Sequence, residues 1–114
     1  MKYVNLDYLH ELSGNDKDFE KVMMEQFVEQ TPEEISSLQA AIGSADLLSA
    51  KKIAHSLKST VSYMGLAGEL HPYLESIEKA ATTGDSSGID DKFAHVKEVA
   101  EEAVKEIVIL LQNS

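Results

Sequence analysis

The chain has no cysteine and no arginine, only two prolines, and no long hydrophobic run. Without cysteine there is no disulfide, no thiolate nucleophile and no thiolate metal site. Ten lysines stand against twenty acidic residues, a formal net charge of −10 over 114 residues. Sequence-blind binding of DNA or RNA needs a basic face to neutralise phosphates, so nucleic acid is not an expected partner. Anionic membrane surfaces are disfavoured on the same grounds. The longest apolar run, Ile107 to Leu111, is far short of the ~20 residues that span a bilayer. The opening MKYVNLDYLHEL carries an early acid and no apolar run, which is not the pattern of a secretory signal. These features make a cytoplasmic monomer the default expectation. A methionine start and a polar QNS end lean toward a free-standing protein.

What the chain does have is helical periodicity. Strand alternation is scarce, and glycine and proline fall where helices would start or stop. Asn5 is placed to cap a short helix, LDYLHEL, ending at Ser13-Gly14. Asn15 or Asp16 opens a second, with Phe19, Val22, Met23, Phe27 and Val28 at helical spacing. Thr31-Pro32-Glu33-Glu34 has the form of a helix start, with a cap, a first-turn proline and acids behind it. Ile35, Leu38, Ala41 and Ile42 follow on one face, and the sequence leaves open whether the chain bends at Pro32. Ser44 or Asp46 starts the next helix, which breaks at Gly65. A further helix covers roughly Ala67 to Ala81, with a kink or a late start expected at Pro72. After TTGDSSGID, Asp90 begins a long last helix with Phe93, Val96, Ala100, Ala103, Ile107 and Leu110 spaced for burial. The expected fold is all-α, one domain over residues 1–114: an antiparallel four-helix bundle with one or two additional N-terminal helices. The five consecutive apolar residues of IVILL exceed one helix face. Burial by the bundle and the first helix accounts for them, and a partner contact is the sharper reading.

The stretch IAHSLKSTVSYMG carries the chemistry. At about 100° per residue, Ala50, Ile53, Leu57, Val61 and Met64 form one apolar stripe, with Ala54 at its margin. His55 lies well away from that stripe, among Leu48, Lys51, Lys52, Lys58, Ser59 and Ser62. A core histidine would share the stripe. Lysines at i−4, i−3 and i+3 invert the local charge of an acidic chain and can reach a group attached to the ring. Ser59 and Ser62 are small enough to leave the imidazole open, and Leu48 adds an apolar contact. A neutral imidazole has a free lone pair, and the lysines would stabilise an anion placed on it. The residues read as a surface histidine that accepts and gives up a phosphoryl group.

The same residues resemble the signature of histidine-containing phosphotransfer (HPt) domains of two-component phosphorelays. Ala54, His55, Leu57, Lys58 and Gly65 fit it. Leu70 and Leu74-Glu75 stand where the family tends to have leucine and leucine-glutamate, and LDYLHEL and FVEQTP look like its opening helices. Ser59 departs from the usual glycine. The resemblance implies an HPt-like fold and a phosphorelay intermediate between receiver-domain aspartates. His55 would be the phosphoacceptor, and Lys58 the phosphate-stabilising cation. Leu48, Lys51, Lys52, Ser59 and Ser62 would form the docking face, and Gly65 would be a structural glycine. The expected partners are response-regulator receiver domains, with a hybrid histidine kinase as a further candidate. The chain would hold no cofactor and no metal of its own; Mg2+ would come with the receiver.

Three other readings compete. A kinase dimerisation domain would follow its histidine with an acid and a nearby proline, whereas Ser56 follows His55. No glycine-rich phosphate loop is present, so autophosphorylation from ATP is not expected. A di-iron bundle needs Glu-x-x-His pairs aimed inward, and His10, His71 and His95 read as ordinary surface or helix-end residues. A non-catalytic adapter, binding receiver or kinase domains with the histidine idle, is the alternative function.

Overall fold

Asp16 and Asp46 each start a helix by accepting a backbone hydrogen at the third residue on. In the computed structural model, which describes residues 1–113, five helices follow one another. They are α1 (Asp7–Ser13), α2 (Lys17–Gly43), α3 (Leu47–Ser62), α4 (Ala67–Thr83) and α5 (Ile89–Gln112). Asp16 Oδ1 accepts from Phe19 N at 3.2 Å. Asp46 accepts from both Ser49 N (3.2 Å) and Ser49 Oγ (2.8 Å), which holds its carboxyl below the usual range. Each satisfies a donor that a helix start otherwise leaves without a partner. Asn5 works one residue earlier than expected: Leu6 precedes α1, and Asn5 Oδ1 accepts from Asp7 N at 2.9 Å.

Helices α2 to α5 form the antiparallel bundle, each packed on two neighbours, and α1 lies against α2. The two helix segments expected on either side of Pro32 are one continuous helix. Only one extra N-terminal helix therefore precedes the bundle. A proline costs a helix one backbone hydrogen bond, but α2 packs against both α3 and α5, and Thr31 and Ile35 on either side of Pro32 are buried. Pro72 likewise sits inside α4 without ending it.

The expected stripe is the core. Ala50, Ala54, Leu57, Val61 and Met64 are fully buried, against Leu70, Leu74, Ile77, Val96, Ala103 and Ile107. Fully burying a leucine contributes roughly 1.5–3 kcal/mol. Ile53 and Leu110 are half-buried. Phe19 and Val22 depart from expectation, being exposed. At 27 residues α2 outruns the 16-residue α3, so its first turns lack a helix on that side. IVILL is split: Ile107 is buried, Val108, Leu110 and Leu111 are half-buried, and Ile109 is exposed.

Gly65 closes α3 in the left-handed region, at φ 78°. The amino-terminal segment crosses directly over it: Asn5 N donates to the Met64 carbonyl at 3.0 Å. A Cβ on Gly65 would meet the Asn5 carbonyl and come within 2.8 Å of Asn5 Cβ. The same segment is tied to α5 by Glu106, a buried carboxylate that accepts from Tyr3 N and Val4 N at 3.1–3.3 Å.

Candidate functional site

His55 projects from the middle of α3 with 72% of its side chain exposed. The buried Ala54, Leu57 and Val61 turn the opposite side of α3 to the core, so the ring's orientation follows from helical phase. Around it, Leu48, Lys51, Lys52, His55 and Glu78 line an open hollow of about 470 Å³. Leu48, a leucine 66% exposed, forms its apolar wall. The hollow therefore gathers four of the residues singled out from the sequence.

The fifth lining residue is Glu78 of α4, which sequence reasoning missed. Its Oε2 lies 3.1 Å from His55 Nδ1, and its Oε1 lies 2.9 Å from Lys58 Nζ. The Glu78 side chain is 17% exposed. Burial pushes Glu78 up, but the bonds from Lys58 and His55 outweigh it and hold the carboxyl below its ordinary value. Lys58 is correspondingly raised, chiefly by Glu78. Oε1 is buried, and the Lys58 ammonium beside it supplies the compensating charge. The resemblance had placed the family's glutamate at Glu75, which is exposed. Leu74 and Glu78, four residues apart, share the side of α4 that faces α3.

An ionised carboxylate only accepts, so His55 carries its hydrogen on Nδ1. In the neutral ring this leaves the lone pair on Nε2, which has no hydrogen-bond partner among the described residues. The lysines fall into two groups. Lys58 is drawn back onto Glu78, while Lys51 and Lys52 are exposed at the hollow.

Ser59 and Ser62 lie outside the lining. Ser59 is exposed one turn beyond His55. Ser62 is half-buried and turned inward: its Oγ donates to the Lys58 carbonyl at 2.6 Å. It keeps the surface low there without presenting a free hydroxyl.

The other histidines all have partners, contrary to their plain appearance in sequence. His10 Nδ1 is 2.9 Å from Glu20 Oε1, with Lys17 at 3.7 Å from the same oxygen. Ser13 Oγ donates to the other oxygen, and His10, then Ser13, hold the Glu20 carboxyl low. His71 Nε2 meets the Lys58 carbonyl at 2.8 Å. His95 pairs with Glu69 at 3.0 Å and packs on Tyr73. A histidine Nδ1 on a glutamate is thus not peculiar to His55. What distinguishes His55 is its exposure and the lysines beside it.

A family model described as the Hpt domain matches residues 22–106. The chain belongs to the Hpt domain family. The crystal structure of histidine-containing phosphotransfer protein B (HptB) from Pseudomonas aeruginosa PAO1 has the same fold. At 22% identity it reaches a TM-score of 0.86 over 98% of this chain and 96% of that one. No curated protein sequence matches significantly. In this Hpt domain all of α3 and α4 fall inside the matched stretch, and α1 precedes it. No helix among the described residues is long and apolar enough to cross a membrane.

Proposed function

We propose that this Hpt domain is a phosphorelay intermediate that carries a phosphoryl group on His55 Nε2. The observation that carries the reading is the His55–Glu78 contact at 3.1 Å on an otherwise exposed ring. It fixes the tautomer with the lone pair outward. In the transfer, Nε2 attacks the phosphorus of an aspartyl phosphate on a receiver domain. The N–P bond forms as the O–P bond breaks, and the electron pair returns to the aspartate carboxylate. The reverse sequence hands the group to a second receiver. Positioning and charge do most of the work in such a transfer. As positive charge develops on the ring, the Nδ1–H bond to Glu78 stabilises it. Lys58 neutralises the phosphoryl oxygens as a mobile point charge. Mg2+ is expected on the receiver.

Leu48 offers a receiver an apolar contact, and Lys51 and Lys52 offer complementary charge at the rim of the hollow, while the low profile at Ser59 leaves access. In a chain of net charge −10, this cationic patch steers acidic partners to one face. The test is incubation with a panel of phosphorylated receiver domains, alongside His55→Gln. Label on wild type alone, stable in base and lost in acid, supports the relay. A folded protein that takes no label from any receiver supports an adapter with an idle histidine.

A further inference from the structure

Two polar side chains converge at the Lys58 carbonyl. Ser62 Oγ donates to it at 2.6 Å, His71 Nε2 lies 2.8 Å away, and the two side chains are 3.0 Å apart. A carbonyl only accepts, so His71 carries its hydrogen on Nε2, the opposite tautomer to His55. His71 stands seven residues before Glu78 on α4. Seven residues are close to two helical turns, so both project from one face, about 10 Å apart along the axis. Helix α4 therefore grips α3 at two levels. His71 holds the backbone of Lys58, and Glu78 holds the Lys58 ammonium and the His55 ring.

The remaining α3–α4 contact is apolar, through buried residues such as Leu57, Val61, Leu74 and Ile77. Apolar burial is non-directional and tolerates small slides that a hydrogen bond does not. We infer that His71 is a positioning residue: its bond to the Lys58 carbonyl sets the register of α4 on α3 and so keeps Glu78 on His55 Nδ1. For its effect on transfer, this inference rests on the function proposed above; for its effect on the ring, it does not.

The test is long-range 1H–15N NMR of the histidine rings in wild type, His71→Ala and His71→Gln, with the initial rate of phosphoryl uptake measured across pH. In wild type, His71 should show hydrogen on Nε2 and His55 on Nδ1. In His71→Ala, the His55 nitrogens should move toward a mixture of tautomers and uptake should fall about tenfold, the scale expected of a small misplacement. Glutamine places an amide donor near the Nε2 position, so His71→Gln should restore both. A folded His71→Ala with unchanged His55 signals and uptake would overturn the inference. If His71→Ala does not fold, the wild-type spectrum decides: hydrogen on His71 Nδ1 rules the bond out. If wild type takes up no phosphoryl group, the relay reading fails and the ring spectra still test this one.

Discussion

Glu78 Oε2 stands 3.1 Å from His55 Nδ1, reaching from α4 to the exposed ring on α3. In the transfer proposed above, this contact would orient the ring as a nucleophile: a carboxylate on Nδ1 favours the tautomer with the lone pair on Nε2 and lies where positive charge would develop. The same carboxylate pairs with Lys58 at 2.9 Å, and a phosphoryl group on the ring would compete for that ammonium.

Glu78→Gln should keep the fold and slow phosphoryl uptake. The amide keeps an oxygen for Nδ1 but loses the charge that opposes imidazolium and binds Lys58. A loss of about tenfold or more is expected for a charge-assisted contact in the transition state. The measurement is the initial rate against a phosphorylated receiver, with helicity checked by circular dichroism. An unchanged rate would remove Glu78 from the mechanism.

Acid should weaken the clamp. The Glu78 carboxyl is depressed in the folded state from an ordinary 4.5. Its stabilising contribution is therefore complete above the unfolded value and is lost as pH falls through the lower folded one. Urea titrations of wild type and Glu78→Gln should differ most near neutrality and converge in acid. A difference that grows in acid would contradict the assignment.

Glu34 has the opposite sign. Burial raises its carboxyl, a bond from Thr60 only partly lowers it, and Oε2 is buried without a partner. The cost of ionising it is complete above the raised value, shrinks as pH falls through that value, and vanishes only below the ordinary 4.5 of the unfolded chain. Glu34→Gln should be more stable than wild type by up to about 1 kcal/mol at pH 7, with the advantage shrinking in acid. Thermal melts at pH 7 and pH 4 check both.

Gly65→Ala should destabilise by about 2–4 kcal/mol. The left-handed backbone costs a β-carbon roughly 1–2 kcal/mol, and overpacking against the Asn5 backbone adds a similar amount. Chemical denaturation measures the loss. A cost below about 0.5 kcal/mol would show that the amino-terminal segment moves aside freely.

Much of this molecule is legible in its sequence. Helical phase alone separates His55 from Ala50, Leu57 and Val61, because all four lie on one helix and a helix has a fixed pitch. Asp16, Asp46 and Gly65 declare helix ends through local chemistry. Thr31-Pro32 does not, since a start signal is local while α2 is held on both sides of it by α3 and α5. Phe19 and Val22 continue an apolar stripe past the point where α3 ends to cover it. Glu78 and His71 escape for a related reason. Their roles depend on the register of α4 against α3, and periodicity within a helix says nothing about the slide between two.

In the proposed transfer, His55 Nε2 takes the phosphoryl group while Nδ1 keeps its hydrogen on Glu78. The most direct measurement is 31P and long-range 1H–15N NMR of the protein phosphorylated by a receiver domain. One phosphohistidine is expected, at His55, with phosphorus on Nε2 and hydrogen on Nδ1. Phosphorus on Nδ1, or on His10, His71 or His95, would contradict it.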